Sequence, residues 1–254
     1  MAITIISHFV PRERRRIAVT VRHNLKNQKI SILGETIDIW NEDELKPTIK
    51  KIIISLFLET DRGAVIIGTE IMNELLLEFV IAIFPEMSKE KLHRLIKYPG
   101  PLSSFASKIE LSYAFRLIGK NLYDSLNELR KLRNKAAHSQ EKFSLNKFDE
   151  KISEIVNLGP NMSSFIRSQA TKALYDYKIN RLADSIDKED MSNEEKSKML
   201  KTIVRDKETQ RVLDEQIPHW YLVNGLITLA GLINHRMKKT YEKIGDAKVL
   251  SEIE

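Results

Sequence analysis

Two periodicities divide the chain. Up to Trp40, apolar and polar positions alternate. Ile17, Val19 and Val21 share one side of Arg16–Arg22, and the period of two returns in Ile30-Ser31-Ile32 and Ile37-Asp38-Ile39 around a turn at Gly34-Glu35. This predicts a small β-hairpin arm over residues 1–40, with the polar stretch Asn24–Gln28 as a link between strands. A ribbon of that size is marginal alone and has to pack on the remainder of the chain or on a second subunit.

After Trp40 the spacing becomes helical. Asn41–Glu44 ahead of Leu45 and Pro47 is an acidic helix start, and the helix runs to about Leu58. Thr60-Asp61 opens a second helix that reaches Phe84 and is closed by Pro85. It is apolar around most of its circumference, which places it at the centre of a bundle, and Glu70, Glu74 and Glu78 form its one polar seam. A short helix begins at Met87–Glu90 and stops before Pro99; Ser103 or Ser104 caps the next, which extends to Ile118. Gly119–Asn121 turns the chain into a helix with the stripe Leu122, Leu126, Leu129, Leu132 and Ala136, and Phe148, Ile152, Ile155 and Leu158 mark another, stopped by Gly159-Pro160. Residues 163–186 form an amphipathic helix. The mixed-charge stretch Asp187–Glu215 reads as a solvated helical hairpin, begun by Ser192–Glu195. A last apolar helix, Trp220–Ile233, follows Pro218 and docks back on the bundle, ending in the cations of His235–Lys239. The expected architecture is mainly α: an antiparallel helical bundle over 41–160, the hairpin arm over 1–40, and a C-terminal helical extension over 161–254.

Composition narrows the chemistry. The 254 residues contain no cysteine, which removes disulfides, a thiol nucleophile and a zinc ribbon. Apolar runs such as Ile52–Leu58 and Leu75–Phe84 fall short of the ~20 residues that span a bilayer, and Met1–Val10 lacks the charged start and cleavage site of a signal peptide. The expectation is a cytoplasmic protein with no membrane contact. A net charge of +6 and a pI near 9.3 lean modestly towards a polyanionic partner. Gly63 and Gly68 are isolated rather than part of a phosphate loop, no H-E-x-x-H occurs, and the six histidines do not cluster at ligand spacing. No metal and no cofactor are expected.

The stretch Leu129-Arg130-Lys131-Leu132-Arg133-Asn134-Lys135-Ala136-Ala137-His138-Ser139 carries the candidate chemistry. At ~100° per residue Arg133 falls about 40° from the leucine stripe, so it faces the core or an interface, where a guanidinium needs a partner. Asn134 and His138, four apart, meet on a neighbouring face, and Asn134 can orient the imidazole. A permanent cation beside a group that titrates near neutrality suits RNA cleavage by its own 2′-hydroxyl, which needs proton transfer and stabilisation of phosphorane charge but no metal. His138 would be the general acid or base and Arg133 the phosphate clamp. The plain alternative is that Arg133 neutralises Glu70 or Glu74 while His138 caps the helix end.

Arg133-Asn134-Lys135-Ala136-Ala137-His138 resembles the R-N-x-x-A-H form of the R-x4-6-H motif of HEPN domains, helical bundles found in RNases, toxins and phage-defence proteins. Asp61-Arg62-Gly63-Ala64, the block Gly100–Ile109, Tyr113–Ile118 and Arg133–Ser139 resemble, in that order, the mannitol operon repressor family over roughly Pro47 to Pro160. The resemblance implies an all-helical core that forms homodimers. In HEPN nucleases the two motifs meet across the dimer as a composite site, which here would be Arg133, Asn134 and His138. The mannitol-repressor branch implies instead a regulator whose R-x4-H need not be catalytic.

Two functional expectations follow. One is a metal-independent endoribonuclease, a defence or toxin effector, in which Arg12, Arg14, Arg15, Arg16 and Arg22, with Lys26, Lys29 and Arg130, grip RNA phosphates. On the arm the same charges serve equally to protect an edge strand. The other is a non-catalytic regulatory or assembly subunit that binds a protein partner through Asp187–Glu215. Sequence-specific DNA binding is a distant third, since no helix-turn-helix signature is present.

Overall fold

The computed structural model describes residues 29–32, 35–38, 54–85, 87–186, 192, 194, 195, 198, 202, 203 and 205–251. The chain is mainly α-helical. Strands β1 (Lys29–Ile32) and β2 (Glu35–Asp38) pair antiparallel with Ile30 opposite Ile37. The remainder of the arm expected over residues 1–40, with Arg12, Arg14, Arg15, Arg16, Arg22 and Lys26, lies outside the described residues, as does most of the stretch before Ile54.

Side-chain caps explain the first three helix starts. Helix α1 (Asp61–Ala82) is capped by Thr60, whose hydroxyl accepts from the Gly63 amide; α2 (Lys89–Ile96) is capped by Ser88; and α3 (Phe105–Ala114) by Ser104. Helix α4 (Lys120–His138) leads into a single 3-10 turn (Leu145–Phe148) and α5 (Asp149–Ile155). Then come α6 (Met162–Ile186), α7 (Lys207–Asp214) and α8 (Ile217–Ser251).

Two elements end elsewhere than the pattern predicts. Helix α3 stops at Ala114, before Ile118, because Arg116 adopts a left-handed backbone, φ 58°. Its amide bonds to the Tyr113 carbonyl and the Leu117 amide to the Ser112 carbonyl, a Schellman closure with arginine where glycine is usual. Helix α8 passes through His235–Lys239, expected as its end, to Ser251: the cations there are good helix formers, and neither proline nor a glycine cap follows them.

Helices α1 and α8 form the centre. Helix α1 packs on α3 and α4 on one side and on α8 on the other; α8 in turn packs on α5, α6 and α7. Every residue of α8 from 218 to 234 is buried, so this helix is enclosed on all sides rather than docked on the surface. The α1–α8 crossing is tight: a Cβ on Gly68 would lie 2.3 Å from Leu226 Cδ1. One continuous core joins Leu56, Leu76, Leu129, Ile152, Leu174 and Leu226. No helix among the described residues is long and apolar enough to cross a membrane. Of the charged stretch Asp187–Glu215, the described parts are mostly exposed, with Ser192 and Glu195 bonded reciprocally as a helix start and Arg211 between Glu208 and Glu215, but Leu213 of α7 is buried in the core.

Candidate functional site

The motif forms the last two turns of α4. The leucine stripe holds the helix down, with Leu126, Leu129, Leu132 and Ala136 all fully buried. That fixes what the other faces do: Arg133, Asn134, Ala137 and His138 are exposed, and Arg130 is half-buried. Arg133 does not turn into the core as its 40° offset suggests. A flank position near a helix end lets a long aliphatic stem lie along the apolar stripe while the guanidinium reaches water.

Arg133 Nη1 donates to Asn134 Oδ1 at 3.4 Å, and Arg130 Nε donates to Asn127 Oδ1 at 3.4 Å, both at the long limit of a hydrogen bond. Among the described residues no carboxylate pairs with either arginine. Glu70 and Glu74 face Lys108 instead. Its stem is buried, and its ammonium donates to Asn73 Oδ1 at 2.6 Å. Burial pulls the Lys108 pKa down while Glu70 and Glu74 work against that fall; burial and the charges of Glu70 and Glu78 push Glu74 up. Asn134 is bonded to the arginine rather than to the imidazole, and the helix end is closed by the Ser139 amide on the Lys135 carbonyl rather than by His138.

The loop that follows His138 is clamped by the first turn of α1. Arg62 Nη2 donates to the carbonyls of Ser139 and Glu141, both at 2.8 Å. Asp61 Oδ2 accepts from the Leu145 amide at 2.8 Å, and Asp61 Oδ1 lies 2.9 Å from His219 Nδ1, whose ring also places Nε2 2.9 Å from the Leu56 carbonyl. Both ring nitrogens are thus met by oxygen acceptors, one of them a carboxylate. Burial on its own would raise the Asp61 pKa; the bonds from His219 and Leu145 and the charge of His219 outweigh it and hold the carboxyl below its ordinary value. A cavity of about 590 Å³ opens beside this hub, between Phe57, Arg62, Phe143, Gln216 and Trp220.

The hub was not visible as a unit in the sequence. In the sequence Asp61-Arg62 marks a helix start and the first block of the resemblance to the mannitol operon repressor family, and His219 is one of several scattered histidines. Both ring nitrogens of His219 are bonded within the protein, so it ties α8 to the first turn of α1 and to the Leu56 carbonyl. Among the described residues no three His, Asp or Glu side chains gather as a metal-holding group. No family model, curated protein or solved structure matches this chain, so the function of the site has to be argued from its own residues.

Proposed function

We propose that the chain is an endoribonuclease of the HEPN kind, acting on RNA without a metal and as a homodimer, and producing 2′,3′-cyclic phosphate ends. The supporting observation is the exposure, on one helix end, of Arg133, Asn134 and His138, with the guanidinium held by an amide and not by an acid. A guanidinium bonded to a neutral acceptor keeps its full charge and spare N–H donors for a phosphate. In the proposed reaction the RNA 2′-hydroxyl loses its proton and bonds to phosphorus, the bond from phosphorus to the 5′-oxygen breaks, and that oxygen leaves protonated. His138 moves a proton at one of these oxygens, and Arg133 neutralises the phosphorane. Arg130, one turn earlier on α4, adds a second cation for the strand.

The test is incubation of single-stranded RNA with pure protein in EDTA, alongside His138→Ala and Arg133→Ala. The expected result is cleavage by the wild type and a loss of ~10²-fold or more in each variant. Cleavage by all three proteins alike, or by none, removes the nuclease reading. A regulatory subunit with an ornamental R-x4-H then remains.

A further inference from the structure

Helix α4 carries more than the motif. Tyr123, Asn127, Arg130, Asn134 and His138 recur every three or four residues and so share one face, on the flank of the buried leucine stripe. Hydrogen bonds run along it: Asn127 Nδ2 donates to the Tyr123 carbonyl at 3.3 Å and Arg130 Nε to Asn127. At the end far from His138 the face meets a group of aromatic rings. Tyr123 packs on Tyr113 with centroids 4.4 Å apart, and the neighbouring Phe115 is 52% exposed and Tyr113 40%.

The charges beside those rings are arranged selectively. Asp124 pairs with Lys120 at 2.5 Å, the Lys120 ammonium lies 5.7 Å from the centroid of the Tyr123 ring, and Glu110 accepts the neutral Tyr123 hydroxyl at 2.9 Å and keeps its charge at the edge of the rings. Arg116, Arg130 and Arg133 have no carboxylate partner among the described residues. Arg116 is also exposed on the left-handed backbone where glycine would sit without strain. The fold thus carries a cation where a glycine would serve it better.

We propose that this face of α4 is a track for single-stranded RNA, in which Phe115 and Tyr113 stack bases and Arg116 holds a phosphate, beyond Tyr123, which lies about 22 Å (fifteen residues at 1.5 Å) along the helix from His138. The identity of the strand rests on the endoribonuclease reading. A group of rings with Arg116 next to Phe115 in the chain, followed along the helix by Arg130 and Arg133 on neutral amides, matches a strand of π-faces and phosphates; a protein helix would ask for a continuous apolar stripe. Duplex RNA would keep its bases stacked on one another and give the rings nothing to hold.

Binding of a labelled 2′-O-methyl oligonucleotide, which has no 2′-hydroxyl to attack, separates this track from catalysis. Two variants are compared with wild type by fluorescence anisotropy across a salt series. Arg116→Gly is expected to raise the thermal midpoint, since glycine relaxes the left-handed position, while weakening binding severalfold and lowering the slope of log affinity on log salt by ~0.7. Phe115→Ala is expected to weaken binding about tenfold with the slope unchanged. Unchanged affinity and slope in both variants overturns the track, as does equal weakening on duplex RNA. Binding of poly-glutamate that is lost in Phe115→Ala assigns the face to a protein instead. Loss in the variants without any cleavage of ordinary RNA by wild type sinks only the nuclease reading. Cleavage with no loss in the variants sinks only the track.

Discussion

Removing the Asp61 carboxylate separates its two hydrogen bonds from its charge. In Asp61→Ala the Leu145 amide, on a fully buried residue, loses its acceptor, and His219, itself nearly buried, loses the anion beside Nδ1. An unsatisfied buried donor costs ~1–3 kcal/mol, and breaking one side of a buried ion pair costs ~3–5 kcal/mol. The Asp61 side chain keeps 26% of its surface accessible, which puts the expected loss near the low end, about 3 kcal/mol. Asp61→Asn behaves differently. Its oxygen still accepts from Leu145, and its amide donates to Nδ1 of a neutral imidazole whose Nε2–H stays on Leu56, so both bonds survive and the cost falls to about 1 kcal/mol. The pH dependence separates them again. Asp61 titrates below its unfolded value of 3.8 in the fold, so its stabilisation is complete above that value and is lost as pH falls through the folded pKa. Neither variant can show that acid-side loss. Urea denaturation of the three proteins at neutral pH and at successively lower pH gives the numbers. Equal losses for alanine and asparagine to within ~0.5 kcal/mol, or an acid limb as steep in Asp61→Asn as in the wild type, where Glu128 also contributes one, would refute the assignment of the charge and its bonds.

The helix crossing and the buried hydroxyls give two further expectations. Gly68→Ala drives a methyl to 2.3 Å from Leu226 Cδ1, which is fully enclosed, and should destabilise by ~1–3 kcal/mol in the same denaturation assay; a loss under ~0.5 kcal/mol means that α1 and α8 part freely. Ser125 Oγ is buried without a hydrogen-bond partner, so Ser125→Ala should leave stability unchanged or raise it by up to ~1 kcal/mol, and a clear loss would reveal a partner.

What was legible in the sequence was local. Thr60-Asp61, Ser88 and Ser104 announce their helices because a capping hydroxyl acts on an amide three residues ahead, well inside the reach of a pattern. The leucine stripe of α4 is equally self-evident, and its five members are all buried. The end of α3 was hidden because the left-handed residue is arginine, and a reader looks there for glycine. Helix α8 ran on because cations favour a helix terminus without causing one. The Asp61–His219 pair spans 158 residues, a separation that no periodicity encodes. Arg133 shows the limit for a site. Spacing fixes the direction of its Cβ, but whether a long side chain leaves along the surface or enters a core depends on what lies at the helix end, and that is set by α1 and its loop.

The exposure of Arg133 bears directly on the proposed cleavage. A unit charge 4 Å from a phosphate in bulk water is stabilised by only ~1 kcal/mol, whereas a single preorganised donor in a water-excluded oxyanion site is worth ~2.7–4 kcal/mol. One copy of α4, open to solvent, therefore attracts a phosphate weakly and gains little selectively in the transition state. Covering the face changes both figures, because excluding water strengthens the attraction and fixes the guanidinium before reaction. RNA alone covers it from one side. A second copy with its own Arg133 and His138 against the first would close it and add another cation. On this reasoning a fixed RNA concentration should be cleaved at a rate per chain that falls on dilution, in step with the loss of dimer measured by mass photometry, and that recovers when two chains are tethered. A constant rate per chain at dilutions where only monomers are counted would show that a single open helix end suffices, and the electrostatic argument would fail.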